Sequence, residues 1–338
     1  MSGLAELAPT RSWRCLVTGA AGFLGGAMVR RLRAEGCFVR ATSRRPLPWA
    51  ESEGLETVSC DLLSLDACRA LLEGIDTVFH FAAPTSAVLS ARDPDGDRRQ
   101  HLEPLVNLAR ASRPSDSRVM LFAGTVTQAG LPQRLPLDEA HLDQPATFYD
   151  AHKLLAEYYV RLFATAGAWS GISLRLPTVY GPGASVAARD RGVVNAMIRR
   201  ALRGQELPIY ESGDWLRDFL FVDDAISAFI AAAHHAHARA GFEVFTIGAQ
   251  SLALFRAFEL VASSVAELTS VRSALRSVPL PEFANAVDTA SYSVDSSRFT
   301  SQTGWQPRVE FSSGVRRTIE AFLSEVERPQ SDYGRTPG

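Results

Sequence analysis

A glycine-rich segment, TGAAGFLG at residues 18–25, follows a short apolar run and precedes an amphipathic stretch. The apolar run at 15–18 predicts a β-strand, and the stretch at 25–35, which Gly36 ends, predicts a helix. A strand, a tight glycine turn and a helix in this order are typical of the first unit of a dinucleotide-binding sheet. This one segment therefore predicts a parallel α/β sheet with a phosphate-binding turn at its edge.

Each glycine of this segment has its own physical role. Gly19 allows the tight turn, Gly22 lets the backbone approach a pyrophosphate, and Gly25 permits close packing of the helix on the sheet. The N-terminus of the helix adds unpaired N–H groups and the positive end of the helix dipole. Phe23 and Leu24 complete the turn, and we expect all five residues to form part of a cofactor-binding site.

Short β-branched or aromatic runs alternate with helical patterns up to about residue 180, which indicates a sheet covered on both faces. We predict strands at 15–18, 38–42, 56–59, 76–81, 118–123 and 171–176, and helices at 25–35, 66–73, 101–112 and 149–165. The alternation favours an α/β fold with a Rossmann-type, doubly wound parallel sheet and a smaller C-terminal substrate-binding lobe.

The pattern changes after Gly183, where short elements follow at irregular spacing. Such a segment is typical of a lobe laid over the carboxyl ends of the strands, where open α/β sheets bind ligands. We predict a dinucleotide-binding domain over residues 12–180. Residues 181–325 are predicted to form mainly the substrate-binding lobe, with some elements returning to the main domain. The segments 1–11 and 329–338 are predicted to be loose termini.

Composition and charge exclude several classes of function. Lys+Arg 35 against Asp+Glu 37 gives a net charge of -2, so no overall field favours nucleic acid or an anionic membrane. The N-terminus has no signal-peptide pattern, and no apolar run reaches membrane-spanning length. The four cysteines lack disulfide and metal-ligand spacing. We expect a soluble, cytoplasmic protein with no metal site and no nucleic-acid or membrane partner.

The end of the second predicted strand indicates which dinucleotide binds. NAD sites usually carry a carboxylate there, which holds the ribose hydroxyls. This chain has Ser43, Arg44 and Arg45 at that place and no acid. A guanidinium binds a 2′-phosphate through charge-assisted hydrogen bonds, whereas a carboxylate repels it. We therefore expect these residues to bind NADP(H) in preference to NAD(H); the alternative is that both arginines are solvated loop residues.

A tyrosine and a lysine open the long predicted helix, in the sequence YDAHK at 149–153. Spacing of four residues places Tyr149 and Lys153 on one helix face. A lysine beside a phenol stabilises the phenolate and is expected to lower the tyrosine pKa into a range useful for acid–base catalysis. Such a pair alone is commonly a surface feature, but here it follows a glycine turn and five predicted strands. We expect both residues to be catalytic and to contact the cofactor.

Together these residues resemble the extended short-chain dehydrogenase/reductases, which include nucleotide-sugar epimerases, dehydratases and ketoreductases. The resemblance runs from about Arg14 to Phe322. It rests on the glycine turn, on YDAHK and on further motifs elsewhere in the chain. These are Asp61-Leu62, HFAA at 80–83, RLPTVYGPG at 175–183, RDFLFVDD at 217–224 and GWQP at 304–307.

The resemblance implies further cofactor contacts beyond the glycine turn. Asp61 and Leu62 match positions that contact the adenine. Ala82 and Ala83 match a stretch of backbone that lines the cofactor, and Pro177 is assigned to the cofactor with them. Each of these residues follows a predicted strand, where the carboxyl ends of parallel strands meet the ligand.

The resemblance also implies substrate contacts. Thr125 matches the catalytic serine or threonine, whose hydroxyl orients the substrate carbonyl and shares its proton with the tyrosine. Arg217 matches an arginine that reaches the diphosphate in nucleotide-sugar enzymes; the alternative is a structural pair with Asp218 or Asp223. Thr178 stands where the family usually has a substrate-binding asparagine.

Two departures from the family pattern bear on the reaction. Val126 and Thr127 follow Thr125 where dehydratases carry an acidic pair, which argues against dehydration. His101 stands where the fourth helix usually begins with an asparagine, which alters the expected water chain behind Lys153.

The sequence and the resemblance favour an NADPH-dependent oxidoreductase of the 4-ketoreductase type, acting on a keto group of a nucleotide-linked deoxysugar. In this reaction Tyr149 donates the proton, Lys153 adjusts the pKa of Tyr149, and Thr125 polarises the carbonyl oxygen of the substrate. The alternatives are a nucleotide-sugar C4 epimerase, a reductase of a non-sugar carbonyl, and a non-catalytic NADP-binding regulatory protein. The resemblance also implies a homodimer formed through the helices at 101–112 and 149–165.

Overall fold

The computed structural model describes residues 13–113, 117–183, 192–282 and 284–326. The segments predicted to be loose termini lie outside the described residues. The strands are β1 (Arg14–Thr18), β2 (Phe38–Ser43), β3 (Leu55–Ser59), β4 (Thr77–His80), β5 (Val119–Thr125), β6 (Ser170–Leu176), β7 (Thr178–Tyr180), β8 (Leu207–Tyr210), β9 (Leu216–Phe221), β10 (Phe242–Thr246), β11 (Gln250–Ala253) and β12 (Leu275–Val278). The α-helices are α1 (Phe23–Ala34), α2 (Leu65–Leu72), α3 (Ala87–Arg92), α4 (Pro94–Ala111), α5 (Phe148–Thr165), α6 (Val193–Leu202), α7 (Val222–His237), α8 (Leu254–Thr269), α9 (Ser297–Thr303) and α10 (Phe311–Val326).

A seven-stranded sheet forms the centre of the molecule, in the order β10-β6-β5-β4-β1-β2-β3. Every neighbouring pair in it is parallel. The strand order reverses between β1 and β4, so a crevice opens at the carboxyl ends of these two strands. The glycine turn follows β1 at this crevice. The predicted α/β, Rossmann-type doubly wound fold is confirmed.

Helices cover both faces of the sheet and form two apolar cores. On one face Val17 of β1 is buried with Met28 of α1 and Phe229 of α7. On the other face Leu16 is buried with Leu105 of α4. Adjacent residues of β1 thus enter opposite cores, as the period of two residues in a strand requires. A strand buried on both faces explains why the run at 15–18 is continuously apolar.

The seventh strand, β10, comes from the region assigned to the substrate lobe. It pairs with β6, with Phe242 opposite Gly171, and α7 before it packs against the sheet. These two elements therefore complete the main domain. The remaining strands of this region form a three-stranded sheet, β11-β9-β7, and a two-stranded parallel sheet, β12-β8.

Helix α4 begins at Pro94, well before the predicted start at His101. Asp93 caps it by accepting a hydrogen bond from the N–H of Gly96 at 3.0 Å. A proline in the first turn costs no hydrogen bond, and the acidic residues that follow favour the positive end of the helix dipole. The polar residues that follow Asp93 therefore form the capped first turns of this helix.

Neither a disulfide nor a membrane-spanning helix occurs in the described ranges. All four cysteines are free thiols. A hydrogen bond with Cys37, together with burial, holds the pKa of Cys15 well above its ordinary value. No helix in these ranges is long and apolar enough to cross a lipid bilayer.

Candidate active site

The glycine turn lies at the crevice between β1 and β4, and its geometry leaves no room for side chains. Gly19 has a φ of 66°, and a Cβ there would lie 2.8 Å from the backbone nitrogen of Ala82. A Cβ on Gly25 would overlap the carbonyl oxygen of Gly19. Thr18 holds the opposite wall in place, because its Oγ1 accepts the N–H groups of Phe81 and Ala82, each at 3.2 Å. This bare backbone at the start of α1 fits the pyrophosphate of a dinucleotide.

The end of β2 carries the residues expected to select the cofactor. Ser43 Oγ accepts the N–H of Arg45 at 3.2 Å, and Arg44 Nη2 donates to Gln100 Oε1 at 3.1 Å. Both arginines are exposed. No carboxylate ends β2, so a 2′-phosphate would meet no repulsive group from this strand.

The remaining predicted cofactor residues follow neighbouring strands. Asp61 and Leu62 come after β3; Asp61 Oδ1 accepts a backbone N–H at 3.1 Å, and the Leu62 side chain is buried in the core. Ala82 and Ala83 come after β4, beside the glycine turn. Pro177 lies between β6 and β7.

The predicted catalytic residues come from β5 and α5. Thr125 ends β5, and Tyr149 and Lys153 occupy the first turns of α5. The helix begins there because Thr147 Oγ1 accepts a backbone N–H of its first turn at 3.1 Å. Lys153 Nζ donates to the carbonyl oxygen of Ala123 at 2.9 Å and joins the helix to the strand.

Burial dominates the electrostatics of these residues. It lowers the pKa of Lys153 to about 8, while Asp97 acts in the opposite direction. Burial, followed by the charges of Asp150 and Asp97, holds the pKa of Tyr149 well above its ordinary value. The expectation that Lys153 lowers the tyrosine pKa is wrong for this arrangement, because the charges that act on the phenol are carboxylates.

A cavity of about 240 Å³ opens at the carboxyl ends of β5 and β6. It brings together five residues that the sequence assigned to the site, namely Thr125, Tyr149, Pro177, Thr178 and Arg217. The rest of its lining is Thr85, Ala87, Val126, Thr127, Asp150, Leu176, Asp218, Val287, Asp288 and Tyr292. Lys153 and the glycines lie outside this lining.

Arg217 faces the cavity, but its guanidinium is bonded to the protein. Nη1 donates to the carbonyl oxygens of Leu216, at 2.9 Å, and Ala290. Nη2 donates to those of Val287, at 3.2 Å, and Asp288, at 2.6 Å. Burial lowers the pKa of this arginine. A diphosphate bound by this guanidinium would have to replace some of these carbonyls.

The carboxylates near Arg217 have other partners. Asp218 accepts hydrogen bonds from the N–H of Ala249 at 2.8 Å and from Ser251 Oγ at 2.9 Å. The structural pair of Arg217 with Asp218 is therefore wrong as an alternative. Asp224, in the first turn of α7, accepts two backbone N–H groups that precede α10.

Among the polar residues of the cavity that the sequence did not assign to the site, Asp150 lies next to the catalytic tyrosine in the chain. Asp150 lines the cavity beside Tyr149 and accepts a hydrogen bond from Thr127 Oγ1 at 2.5 Å. Thr127 in turn bonds Thr125 at 2.7 Å. The only signal in the sequence was an acid directly after the catalytic tyrosine.

A second buried network lies behind Tyr149. Asp97 Oδ2 is bonded to His152 Nδ1 at 2.6 Å and to Ser90 Oγ at 2.8 Å. His101 Nδ1 donates to the Asp97 carbonyl oxygen at 2.9 Å, and its ring lies 5.9 Å from the Tyr149 ring. Burial, with the charge of a nearby lysine, lowers the pKa of His101 to about 4. The donor atoms of the aspartate and the two histidines lie within 4.8 Å of one another, and hydrogen bonds already engage the carboxylate.

Comparison with known proteins identifies the family of this chain. Residues 15–248 match the family described as the NAD dependent epimerase/dehydratase family. A UDP-glucose 4-epimerase from Mycolicibacterium smegmatis is 30% identical over 326 residues, covering 93% of this chain and 100% of that protein. The structure of a UDP-glucose 4-epimerase with UDP-glucose from Thermotoga maritima superposes with a TM-score of 0.80 at 26% identity, covering 93% of this chain and 100% of the other. MoeE5 in complex with UDP-glucose and NAD superposes with a TM-score of 0.79 at 31% identity, with the same coverage. The chain therefore belongs to the NAD-dependent epimerase/dehydratase family of extended short-chain dehydrogenase/reductase enzymes.

Proposed function

We propose that this enzyme interconverts nucleotide-linked sugars that differ in configuration at C4, with the help of a bound nicotinamide dinucleotide. The observation that carries the proposal is that Thr125 and Tyr149 line one cavity at the carboxyl ends of the central strands. Two relatives that are matched over their whole length, and that cover 93% of this chain, are UDP-glucose 4-epimerases. They favour the C4 epimerase alternative over the 4-ketoreductase that the sequence analysis preferred.

The residues of the site can move a proton while the configuration changes. A bound nicotinamide supplies the means to take a hydride from C4 and to give it back. Tyr149 takes the proton of the C4 hydroxyl. It returns the proton after the sugar has rotated and presents its opposite face to the nicotinamide. Thr125 hydrogen-bonds the C4 oxygen, and Lys153, bonded to the carbonyl oxygen of Ala123, holds α5 against β5 so that the phenol and the threonine hydroxyl can reach the same oxygen.

The part of the substrate that the C-terminal lobe binds is inferred to be a nucleoside diphosphate. Arg217 and Thr178 line the cavity on the side of the C-terminal lobe. A guanidinium is suited to a diphosphate because it offers several N–H donors in one plane. Binding in this way requires the turn at 286–290 to release some of its carbonyl contacts with Arg217.

Two lines of support bear on the cofactor. The exposed Arg44 and Arg45 at the end of β2, with no carboxylate beside them, favour the 2′-phosphate of NADP(H). MoeE5, which resembles this chain, is described in complex with NAD. We infer that both dinucleotides bind and that Arg44 gives NADP(H) the tighter affinity.

A second copy of the chain is the inferred partner, bound through α4 and α5. Four apolar or aromatic residues of α5 are exposed along one face, namely Phe148, Leu155, Tyr158 and Leu162. Their spacing of seven, three and four residues keeps them on one helical stripe. A homodimer should therefore dissociate in L162E but not in L131E, which changes an exposed leucine away from these helices. Sedimentation velocity measures both.

The proposed function is tested by incubating the protein with UDP-glucose without added cofactor and analysing the sugar by chromatography. We expect conversion to the C4 epimer with no net change in nicotinamide absorbance. Oxidation of one NADPH per molecule of a 4-keto-6-deoxy nucleotide sugar, without epimer formation, would establish the 4-ketoreductase instead. Reduction of a carbonyl compound lacking a nucleotide would establish the non-sugar reductase. Cofactor binding without any turnover would leave the regulatory alternative.

A further inference from the structure

A chain of hydrogen bonds joins the catalytic threonine to a buried carboxylate. Thr125 Oγ1 lies 2.7 Å from Thr127 Oγ1, and Thr127 Oγ1 donates to Asp150 Oδ1 at 2.5 Å. Thr147 Oγ1 donates to the other carboxylate oxygen, Oδ2, at 2.6 Å. Asp150 is only 2% exposed, yet it lines the cavity together with Thr125 and Thr127. We call Thr125, Thr127 and Asp150 the hydroxyl chain.

The direction of the hydrogens follows from the number of donors. A hydroxyl has one hydrogen, and an ionised carboxylate only accepts. With Asp150 ionised, Thr127 must give its hydrogen to the carboxylate. The contact between the two threonines then requires Thr125 to be the donor. The hydrogen of Thr125 is thereby engaged, and its oxygen can only accept from a ligand.

Protonation of the carboxyl reverses this direction. A proton on Oδ1 of Asp150 is donated to Thr127, which then donates to Thr125. The hydrogen of Thr125 is now free for an oxygen in the cavity. The two arrangements differ by one proton on Asp150, and no heavy atom has to move between them.

We propose that Asp150 is a positioning residue that sets, through Thr127, whether Thr125 has a hydrogen to give to the C4 oxygen of the substrate. This inference rests on the proposed epimerase function, in which the C4 hydroxyl gives its single hydrogen to Tyr149. The C4 oxygen, both as a hydroxyl and as a ketone, can then only accept a hydrogen bond from Thr125. The Thr125 hydrogen is free for this bond when Asp150 is protonated and is engaged with Thr127 when Asp150 is ionised.

The surroundings of Asp150 are consistent with a carboxyl that can exist in both protonation states. Burial raises its pKa, and the hydrogen bonds from Thr127 and Thr147 oppose this rise. Asp288, on the turn across the cavity, acts on it as a like charge. The other ionisable groups that face it or share its cavity are Tyr149, Tyr292, Arg217 and Asp218.

The first measurement tests, in the absence of substrate, whether Thr127 is coupled to the protonation of Asp150. The infrared carboxyl band of protonated Asp150, identified by its loss in D150N, is followed against pH in the unmodified protein. T127V removes a donor to the ionised carboxylate, so the midpoint of this band should rise by about one pH unit, the scale of one charge-assisted hydrogen bond. T127S keeps the hydroxyl, and its midpoint should stay near that of the unmodified protein.

The second measurement reads the consequence for hydride transfer from UDP-glucose to the bound dinucleotide in a single turnover. The rate in the unmodified protein should fall as the pH rises through the infrared midpoint, because ionised Asp150 engages the Thr125 hydrogen with Thr127 and withholds it from the C4 oxygen. D150N and T127V should both lose this inflection, and T127S should keep it. A purely structural role for Asp150 would lower rates without removing the inflection.

Two results would overturn the proposal. An infrared midpoint that does not move in T127V would show that Thr127 does not couple to Asp150, whatever the protein acts on. A kinetic inflection that persists in T127V and follows the new infrared midpoint would show that Asp150 acts through its field. If D150N does not fold, isotopic labelling of aspartate assigns the band and T127V still decides. Absence of hydride transfer in the unmodified protein would count against the proposed function. The infrared shift alone would then test whether Thr127 couples to Asp150.

Discussion

Lys153 and Ala123 are joined by a hydrogen bond of 2.9 Å from the lysine ammonium to the alanine carbonyl oxygen. The bond crosses from α5 to β5, so the helix that carries Tyr149 and the strand that ends at Thr125 are held at one separation. A phenol and a hydroxyl from two different elements need such a connection to act on one substrate oxygen. The connection does not involve the phenol, so the phenol oxygen can be removed without breaking it.

Removal of that oxygen gives the first prediction. Y149F should keep the fold and the cofactor affinity but lose at least ~100-fold in turnover, the lower range for general acid–base catalysis. Y158F is the matched control, because Tyr158 lies on the same helix and is exposed. Near-normal turnover of UDP-glucose by Y149F would remove Tyr149 from the mechanism.

The buried lysine gives a prediction about stability. Burial lowers the pKa of Lys153 from 10.5 to about 8, so below pH 8 the unfolded chain binds this proton more tightly than the folded protein does. The resulting loss of stability is at most about 3 kcal/mol, and it disappears as the pH rises toward 10.5. K153M should therefore unfold at higher urea concentration than the unmodified protein at neutral pH, while turnover is lost.

The pH dependence of that difference checks its cause. The gain in the free energy of unfolding in K153M should be largest below pH 8 and shrink toward pH 10.5. Lys153 is the single lysine of the chain, so selective nitrogen labelling of lysine gives one side-chain resonance whose titration reports this pKa directly. An equal gain in the free energy of unfolding below pH 8 and at pH 10.5 would mean that Met packs better for reasons unrelated to charge.

Cofactor choice provides the third prediction. R44A should weaken NADP(H) binding by about 1–3 kcal/mol, the range for a lost charge-assisted hydrogen bond, and leave NAD(H) binding almost unchanged. R69A is a suitable control, because Arg69 is exposed and paired with Asp66 on α2. Calorimetry in which the unmodified protein binds NAD(H) more tightly than NADP(H) would contradict the inferred preference.

The fourth prediction concerns the arginine in the cavity wall. R217A should raise the KM for UDP-glucose strongly while the affinity for the dinucleotide stays the same. The effect should vanish for a sugar ligand that lacks the diphosphate. An equal loss for both kinds of ligand would mean that Arg217 serves only to hold the turn at 286–290 through its three carbonyl contacts there.

Local features of this protein could be predicted from the sequence because their causes are local. The glycine turn depends on three residues within one loop, and Tyr149 and Lys153 share a face because they lie four residues apart on one helix. The start of α4 was missed although it is local as well. Its signal was the cap formed by Asp93 together with the proline that follows.

Contacts between distant parts of the chain could not be predicted in this way. The run at 242–246 gives no sign that it pairs with β6, since parallel pairing depends on a partner about seventy residues earlier. Arg217 has the same difficulty, because three of its four carbonyl partners lie on the turn at 286–290. The role of Asp150 depends on Thr127, which the chain brings close only when α5 packs against the end of β5.

The burial of Lys153 also determines how the protein responds to proteases. A lysine-specific endoproteinase has one target bond in the whole chain, directly after Lys153. That bond lies within α5, and the lysine is only 5% exposed. Cleavage requires α5 to separate from the sheet, so the rate at which the intact chain is cut into two fragments measures how often the catalytic helix opens.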